Sequence, residues 1–460
     1  MSSVLLVDFG STYTKVLGVD LDNEEILGSA CARTTVETDV TIGLNLALKE
    51  LQEHIGRPVK FEGRFGCSSA AGGLEMVAIG IVPSLTVAAA KMGALGAGAR
   101  VEEVFAWEMK EEDIEVLETI DPDIILFTGG TDGGNTKIVR HNAELLGSSQ
   151  VPTPIVVACN AEIRDEVVDI LKRSGRDVRV ADNIMPELGE VNVEPVREVI
   201  RRVFMDRIVQ AKGLCKAESL LDGIFMPTPD AVLKAATLLA NGTKKVKGFG
   251  NLMIVDVGGA TTDVYSVARG EPRSPGIIMK GLTPPYSYRT VEGDLGVRRS
   301  AKALSCVIGK ELISQVSGLN ESEVERFIED IFFHPERLPH TKEDFDFDFA
   351  LGYLAVKEAV KRHSGRYEVK YTLDGPLNIQ YGKDLTEIPL LIGTGGVLTY
   401  HPRRRDMLLG GTGYKEGSLS LIPSVPRLLF DEKYILACMG LLSNERPEVS
   451  LRILKRFLTE

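Results

Sequence analysis

Two segments of the chain that lie 248 residues apart have closely similar sequences. Residues 4–19 read VLLVDFGSTYTKVLGV and residues 252–267 read LMIVDVGGATTDVYSV; they align without a gap, and six of the 16 positions are identical. Each copy consists of a short apolar run, an Asp-x-Gly followed by small residues, and a second apolar run, which is the pattern of a β-hairpin. A repeat of this kind predicts a fold built from two similar halves.

A second pair of similar segments follows the two hairpins. ILFTGG at residues 125–130 resembles LIGTGG at residues 391–396, and both predict a buried strand that ends in glycines before a helix. We therefore predict an α/β fold of two duplicated lobes with a cleft between them. The predicted boundaries are a first lobe at 1–190, a helical connector at 191–247, a second lobe at 248–415, and C-terminal helices at 416–460 that return toward the first lobe.

The tips of both hairpins have the composition of a phosphate-binding site. Glycines and other small residues let backbone N–H groups approach an anion closely, and nearby hydroxyls add donors. Asp8 and Asp256 end the apolar strands, where carboxylates could hold Mg²⁺ through water beside a phosphate. Gly395 and Gly396 would let a flat base or ribose lie against bare backbone, whereas the earlier copy at 127–135 is favoured as a structural counterpart without that role.

The composition excludes several other classes of protein. With 65 acidic and 53 basic residues the formal net charge is −12, so the chain lacks the basic surface of a nucleic-acid-binding protein. The six cysteines are scattered without a CxxC pair, which argues against a zinc ribbon, an iron–sulfur cluster or a disulfide framework and favours a reducing cytoplasm. We expect no membrane span and no signal peptide, and neither GxxxxGK[ST] nor HExxH occurs.

Three segments resemble, in order and spacing, the motifs of the actin/Hsp70/sugar-kinase ATPase superfamily. VDFGSTYTKV resembles the first phosphate motif, VDVGGATTDV the second, and IGTGGVL the adenosine motif. The resemblance implies duplicated actin-like (ribonuclease H-like) lobes that bind ATP and Mg²⁺ in the cleft, with Asp8 and Asp256 organising the metal and Asp263 near the attacking water or the metal. It implies nucleotide contacts at Gly10, Ser11, Thr12, Thr14, Lys15, Gly258, Gly259, Thr261, Thr262, Gly393, Thr394, Gly395 and Gly396.

A narrower resemblance is to the glutamate-mutase-associated family, whose members are often labelled MutL. It is carried by FGCSSAAGGL at 65–74, SLTVAAAKM at 84–92, FTGGTDGGN at 127–135 and TVEGDLG at 290–296. It implies a chaperone-like factor with weak Mg²⁺-dependent ATPase activity, which reactivates an adenosylcobalamin-dependent mutase such as glutamate mutase or an aminomutase. A homodimer is left open. Two alternatives use the same nucleotide site: a small-molecule kinase, and an actin-like scaffold that assembles with ATP.

The remaining segments give local expectations. We predict one helix from Pro195 to about Leu221 and another that begins near Thr228 and ends at Asn241. Residues 343–348 are expected to form a half-buried segment with a solvated face, and residues 401–405 a solvated loop, with phosphate binding as the alternative. The acids Glu292 and Asp294 follow the second hairpin beside glycines, and contact with the γ-phosphate or Mg²⁺ is one hypothesis for them.

Overall fold

The computed structural model describes residues 2–10, 12–35, 39–69, 74–96, 99–211, 220–373, 375–415 and 417–460. The chain divides into two compact units. The first consists of Met1–Lys234, Gly281–Pro285 and Gly440–Glu445, and the second of Ala235–Lys280, Tyr286–Met439 and Arg446–Glu460. The domain boundaries predicted from the sequence stay a prediction, and Ser11 lies outside the described residues.

The first unit contains two sheets and the helices that cover them. Its elements, in chain order, are β1 (Ser3–Phe9), β2 (Tyr13–Asp20), β3 (Glu25–Arg33), α1 (Val40–Ile55), β4 (Gly63–Ser68), β5 (Leu74–Gly80), α2 (Pro83–Gly96), β6 (Ala99–Ala106), α3 (Glu111–Ile120), β7 (Ile124–Gly129), α4 (Lys137–Ser148), β8 (Ile155–Cys159), α5 (Arg164–Arg173), β9 (Val178–Val180), α6 (Val193–Ala211), β10 (Gly223–Pro227) and α7 (Thr228–Asn241), which continues into the second unit.

The first hairpin lies in the middle of a five-stranded sheet of order β10-β4-β1-β2-β3. β1, β2 and β3 are successively antiparallel, whereas β4 runs parallel to β1, and β10 runs parallel to β4. Every residue of β1 is buried, as its continuous apolar run predicts for a central strand. The predicted hairpin is therefore confirmed, and β3 extends it to a three-stranded meander.

The second sheet of the first unit is entirely parallel and has the order β6-β5-β7-β8-β9. Alternate residues of β5, β7 and β8 pack with α3, α4 and α5 in one hydrophobic cluster, while α2 and α6 pack against each other and against the same sheet. The segment ILFTGG belongs to this sheet, as β7 and the loop after it.

The second unit repeats the first sheet and adds a helical layer. Its elements are β11 (Leu252–Val257), β12 (Thr262–Val267), β13 (Ile278–Met279), β14 (Ser287–Glu292), α8 (Ala301–Ile308), α9 (Lys310–Ser317), α10 (Glu321–Phe333), α11 (Lys342–His363), β15 (Arg366–Thr372), β16 (Gly375–Tyr381), β17 (Leu390–Thr394), α12 (Gly396–Tyr400), α13 (Arg404–Leu409), β18 (Arg427–Phe430), α14 (Leu436–Leu442), which ends in the first unit, and α15 (Pro447–Phe457).

The main sheet of the second unit has the order β14-β12-β11-β17-β18. Again the first three strands are successively antiparallel, and β17 and β18 run parallel to β11. This is the same sheet as β3-β2-β1-β4-β10, so the predicted duplication is confirmed. A smaller sheet, β13-β16-β15, stands beside it in the same unit.

The sequence pairing of ILFTGG with LIGTGG is wrong as a structural equivalence. In the second unit Asp256 lies beside Thr394 of β17, and the matching neighbour of Asp8 is Cys67 of β4. The counterpart of β17 is therefore β4, whereas β7 belongs to the other sheet. A buried strand followed by glycines is common to parallel sheets in general, so the short similarity did not mark equivalent positions.

Several local predictions are confirmed. The helix α7 begins at Thr228 and ends at Asn241. Of the helix predicted from Pro195 to about Leu221, α6 confirms the part up to Ala211; residues 212–219 lie outside the described part, and Leu220 and Leu221 are not helical. The described cysteines are free thiols, of which Cys31 and Cys306 are exposed, and Cys215 lies outside the described residues. Within the described ranges no helix is long and apolar enough to cross a membrane.

Candidate functional site

Both hairpins turn through the same tight connection. The N–H of Gly258 donates to the carbonyl of Thr261 at 2.9 Å, and the N–H of Gly10 donates to that of Tyr13 at 3.1 Å. A Cβ atom on Gly10 would lie 2.6 Å from the Tyr13 oxygen, and one on Gly258 would lie 3.0 Å from the Thr261 oxygen. A side chain on Gly10 would therefore collide with backbone, and one on Gly258 would make a tight contact, so both turns favour glycine at their first position.

The carbonyl groups of the second hairpin tip are held by the segment that follows β14. The N–H groups of Val297 and Arg298 donate to Gly258 and Gly259 at 3.1 and 2.9 Å, and the Ser300 hydroxyl donates to Ala260 at 2.6 Å. Among the described residues, nothing accepts from the N–H groups of Gly259, Ala260 and Thr261. Three adjacent backbone donors on a fixed turn form the kind of concavity that binds an anion.

The segment that holds the tip is itself fixed by a buried ion pair. Arg298 donates from Nη1 and Nη2 to the two oxygens of Asp348, at 3.0 and 2.6 Å. Asp348 lies in the first turns of α11, which packs on β11, β12 and β14. Residues 343–348 were expected to form a half-buried segment with a solvated face, and this is confirmed: they lie in the first turns of α11, with Asp344, Phe347 and Asp348 buried and Glu343 exposed.

Asp256 on β11 and Asp263 on β12 are direct cross-strand partners in the second hairpin. Arg289 donates from Nε and Nη2 to Asp263 Oδ1 at 2.8 and 2.5 Å, and Thr261 Oγ1 donates to Oδ2 at 3.0 Å. Both oxygens of Asp263 therefore have donors, and its predicted place near the attacking water stays a prediction. Burial raises the pKa of Tyr265, whose ring lies under the Arg289 guanidinium, so that its hydroxyl stays neutral.

The end of β17 lies against the end of β11. Gly395 has a φ of +93°, and a Cβ there would lie 2.3 Å from the Val257 carbonyl oxygen, so the fold itself requires glycine. Gly396 begins α12, and a Cβ on it would meet only the Tyr434 hydroxyl, at 3.6 Å. Of the two glycines predicted to contact adenosine, Gly396 is thus the one that leaves open space.

Two other residues of the predicted adenosine motif, Gly393 and Thr394, make contacts within the fold. The Cα of Gly393 faces the side chains of Leu408 and Phe430, and Thr394 Oγ1 donates to Asp431 Oδ2 at 3.4 Å. Asp431 in turn accepts from the N–H groups of Ile435 and Leu436, where α14 begins. Contact of Gly393 and Thr394 with a nucleotide remains untested.

Two tyrosines beside Gly396 were missed by the sequence motifs. The rings of Tyr400 and Tyr434 lie 5.9 Å apart; Tyr400 is exposed, whereas Tyr434 is half-buried and has a left-handed backbone, with φ +52°. Burial raises the pKa of Tyr434 far above its ordinary value, which keeps its hydroxyl protonated. Aromatic faces next to a bare glycine are suited to a flat base. Tyr434 was missed because it lies far from the adenosine motif in the sequence.

The first hairpin carries a different set of contacts in its own unit. Asp8 Oδ1 accepts from Thr228 Oγ1 at 2.6 Å and from Cys67 Sγ at 3.5 Å, while Lys15 Nζ lies 3.9 Å from Oδ2. Thr14 is buried, with its hydroxyl 3.0 Å from that of Thr34, and Thr12 is exposed at the turn. The predicted phosphate and metal roles of Asp8, Gly10, Thr12, Thr14 and Lys15 stay predictions.

Three other candidate groups are already engaged. Thr262 is buried and donates to the Leu295 carbonyl at 2.8 Å. Glu292 and Asp294 both accept from Arg362 Nη1, at 2.8 Å. In the segment 401–405, Pro402, Arg403 and Arg405 are exposed, as expected of a solvated stretch, whereas His401 is buried and Arg404 begins the short helix α13 and pairs with Glu432.

A magnesium ion would need phosphate oxygens as well as protein ligands here. Within the described residues, no group of three His, Cys, Asp or Glu side chains could enclose a metal. Mg²⁺ is commonly held by one or two carboxylates together with substrate phosphates and water. Asp256 would supply the carboxylate, and a phosphate bound at the adjacent hairpin tip would supply the other oxygens. The residues present therefore fit a metal that arrives with a nucleotide.

The repeated sheet, with its hairpin tips and the glycine turn after β17, agrees with the predicted α/β fold of two duplicated actin-like lobes. The profile of the MutL protein family matches residues 4–458, and the chain is 46% identical over 461 residues to "Protein MutL" of Clostridium tetanomorphum, with all of both chains covered. The chain therefore belongs to the MutL protein family.

Solved structures of low sequence identity align along most of the chain. They include a diol dehydratase-reactivating factor in nucleotide-free form (10% identity, 96% of this chain and 99% of that chain, TM-score 0.33) and a ligand-bound xylulose kinase from Lactobacillus acidophilus (8%, 100% and 92%, TM-score 0.36).

We predict that the Arg289–Asp263 pair is essential to the stability of the second unit. Arg289→Leu leaves a buried carboxylate without its counter-charge, and loss of one partner of such a pair costs about 3–5 kcal/mol. The free energy of unfolding, measured by urea denaturation, should fall by that amount. Arg289→Leu combined with Asp263→Asn should recover part of the loss.

The matched control is a surface ion pair. Lys310 Nζ lies 2.7 Å from Glu325 Oε1, with both side chains exposed, so Lys310→Ala should change stability little. If Arg289→Leu unfolds at the urea concentration of the wild type, the buried pair does not have the role assigned to it.

Proposed function

We propose that the chain binds Mg²⁺-ATP and uses its hydrolysis, at a low rate, to reactivate an adenosylcobalamin-dependent mutase such as glutamate mutase or an aminomutase. The observation that supports nucleotide binding most directly is the second hairpin tip. Its carbonyls are held by residues 297–300, and its three N–H groups at 259–261 are without acceptors in the described structure.

The groups around that tip supply the other parts of a nucleotide site within the second unit. Asp256 stands beside the tip on β11 and would bind Mg²⁺, whose charge offsets that of the phosphates. Thr394 is the register neighbour of Asp256, so the turn at Gly395 and Gly396 comes from the adjacent strand. Gly396 and the Tyr400–Tyr434 pair would receive the adenosine.

The mutase as partner is supported by the family and by the sequence resemblance. The relative from Clostridium tetanomorphum covers the whole chain, and the motifs at 65–74 and 290–296 are those of the glutamate-mutase-associated family. A reactivating factor must bind its mutase with an affinity that depends on the bound nucleotide, because a ligand shifts an equilibrium only by its differential affinity for the two states.

Two substitutions test nucleotide binding by calorimetry. Asp256→Asn keeps the shape of the side chain but removes the charge that binds Mg²⁺, so the affinity for Mg²⁺-ATP should fall at least about tenfold. Gly396→Val fills the open space beside Tyr434 and should weaken binding by a similar factor through steric exclusion. Gly395 is unsuitable for this test because a side chain there collides with Val257 and would disturb the fold.

The control for charge is Asp406→Asn, an exposed acid on α13, which should bind ATP as the wild type does. Each variant is first checked for an unchanged melting temperature without ligand. The wild type at 100 times its dissociation constant should gain roughly 2.7 kcal/mol of stability. Unchanged affinity in both Asp256→Asn and Gly396→Val would refute the proposed nucleotide site.

Steady-state ATP turnover tests the partner. Purified protein should hydrolyse ATP faster after addition of a glutamate mutase that carries damaged adenosylcobalamin, and the mutase should regain activity when intact cofactor is supplied. Asp256→Asn should show neither effect. If turnover does not change and the mutase stays inactive while ATP binding is normal, the chain binds nucleotide but serves a different partner.

A further inference from the structure

The strand β15 lies at one edge of the small sheet β13-β16-β15 in the second unit. It forms a hairpin with β16, and Thr372 pairs with Gly375 on either side of the turn. A turn this short makes the flanking pair a hydrogen-bonded one, and hydrogen-bonded and non-hydrogen-bonded pairs then alternate along the strands. The backbone groups of Lys370 and Thr372 therefore face β16, whereas those of Val369 and Tyr371 face the outer edge.

Two contacts support this orientation. The register partner of Tyr371 is Pro376, which has no N–H to donate and so suits a pair without hydrogen bonds between the strands. Tyr367 has the same orientation as Tyr371, and its N–H donates outward to the carbonyl of Leu419 at 2.7 Å. The chain's own segment around Leu419 thus lies along the beginning of this edge as a short antiparallel strand would.

The remainder of the edge is open. Among the described residues, nothing accepts from the outward N–H groups of Val369 and Tyr371 or donates to their carbonyls. The side chains are open as well, since Tyr371, at 87%, and Leu373, at 108%, are two of the three most exposed large apolar residues that the structure describes. An unpaired strand edge is a template for another strand, and clustered exposed apolar residues mark an interaction surface.

The charge at the centre of this edge selects the strand that can pair with it. Lys370 lies between the two outward-facing residues, and its exposed Nζ is 3.6 Å from the equally exposed Glu368 carboxylate. The residue opposite Lys370 in an added antiparallel strand would form a non-hydrogen-bonded pair, in which side chains are closest. A second copy of β15 that used both outward-facing residues would place two lysines opposite each other, which is destabilising. An acidic residue at that position is instead favoured.

We propose that the open edge of β15 binds an extended segment of a partner protein as an added antiparallel strand. The segment has apolar residues opposite Val369 and Tyr371 and an acidic residue opposite Lys370. Main-chain hydrogen bonds supply affinity, and the alternating side chains supply specificity. None of the residues at this edge belongs to the proposed nucleotide site.

Binding to the full chain is measured by fluorescence anisotropy with a labelled peptide of sequence Thr-Val-Asp-Val-Thr as the probe. Saturable binding is expected. A lysine in place of the aspartate, or N-methyl groups on both valines, should each weaken binding at least about tenfold, the first through charge and the second through lost hydrogen bonds. No saturable binding of the aspartate peptide, or equal binding of the methylated one, would overturn the proposal.

Two proline variants at adjacent positions form a matched pair. Val369→Pro removes an N–H that faces the open edge, where proline is tolerated, and Lys370→Pro removes one that faces β16. Val369→Pro should therefore change the melting temperature little while weakening peptide binding at least about tenfold. Lys370→Pro should lower the melting temperature. If Val369→Pro binds the peptide as tightly as the wild type, β15 does not accept an added strand.

Two further measurements test the identity of the occupant. Lys370→Glu should reverse the preference and bind the lysine peptide more tightly than the aspartate peptide; an unchanged preference would contradict the role of Lys370. Sedimentation equilibrium without peptide tests pairing between copies of the chain. A dimer that Val369→Pro separates would mean that a second copy occupies the edge, and would overturn the proposal of a partner protein. Neither measurement contains nucleotide, so both are independent of the proposed ATP site.

Discussion

The proposed chemistry depends on the hydrogen bonds that residues 297–300 donate to three carbonyl groups at the tip of the second hairpin. A tight turn exposes both N–H and C=O groups, and an anion is attracted only if the donors dominate. Residues 297–300 bind the carbonyls of Gly258, Gly259 and Ala260, and the Arg298–Asp348 pair connects that segment to α11. In the proposed site the donors are thereby held in place before any ligand arrives, which lowers the entropy cost of binding.

The corresponding sheets of the two units differ in the charged residues of their hairpins. Opposite Asp256 on the second hairpin is Asp263, which Arg289 neutralises, whereas opposite Asp8 on the first hairpin is Lys15. The two hairpins thus have the same backbone structure but different charges, so the sequence repeat indicates a common architecture rather than a common chemistry. The first unit also contains the parallel sheet β6-β5-β7-β8-β9, whose strands come between β4 and β10 in the sequence. This sheet has no counterpart among the described elements of the second unit.

Local features of the fold could be predicted from the sequence, and long-range neighbours could not. The hairpins follow from their apolar runs and turn glycines, and α7 from a cap at Thr228 and a stop at Asn241, because these signals act within a few residues. Which strand lies beside a hairpin depends on residues far away in sequence, so a short similarity wrongly paired β7 with β17. The distinction between β4 and β7 required the structure.

The candidate site likewise contains some residues that the sequence predicted and others that it did not. Asp256, Gly258 and Gly259 were predicted because a motif contains them, while Arg289, Arg298 and Tyr434 were missed because each comes from a distant part of the chain. Thr262 shows a further limit: its hydroxyl suggested a phosphate contact, but it begins β12 and bonds to Leu295. A hydroxyl in a motif becomes available only if the strand leaves it facing the site.

Amide hydrogen exchange of the full chain, with and without Mg²⁺-ATP, tests the central claim most directly. The N–H groups of Gly259, Ala260 and Thr261 have no acceptor in the described structure, so they should exchange quickly in the free protein. With Mg²⁺-ATP they should become strongly protected, together with residues 394–400 at the end of β17 and in α12. Saturating nucleotide that leaves the exchange of this tip unchanged would contradict the claim that the tip binds phosphate.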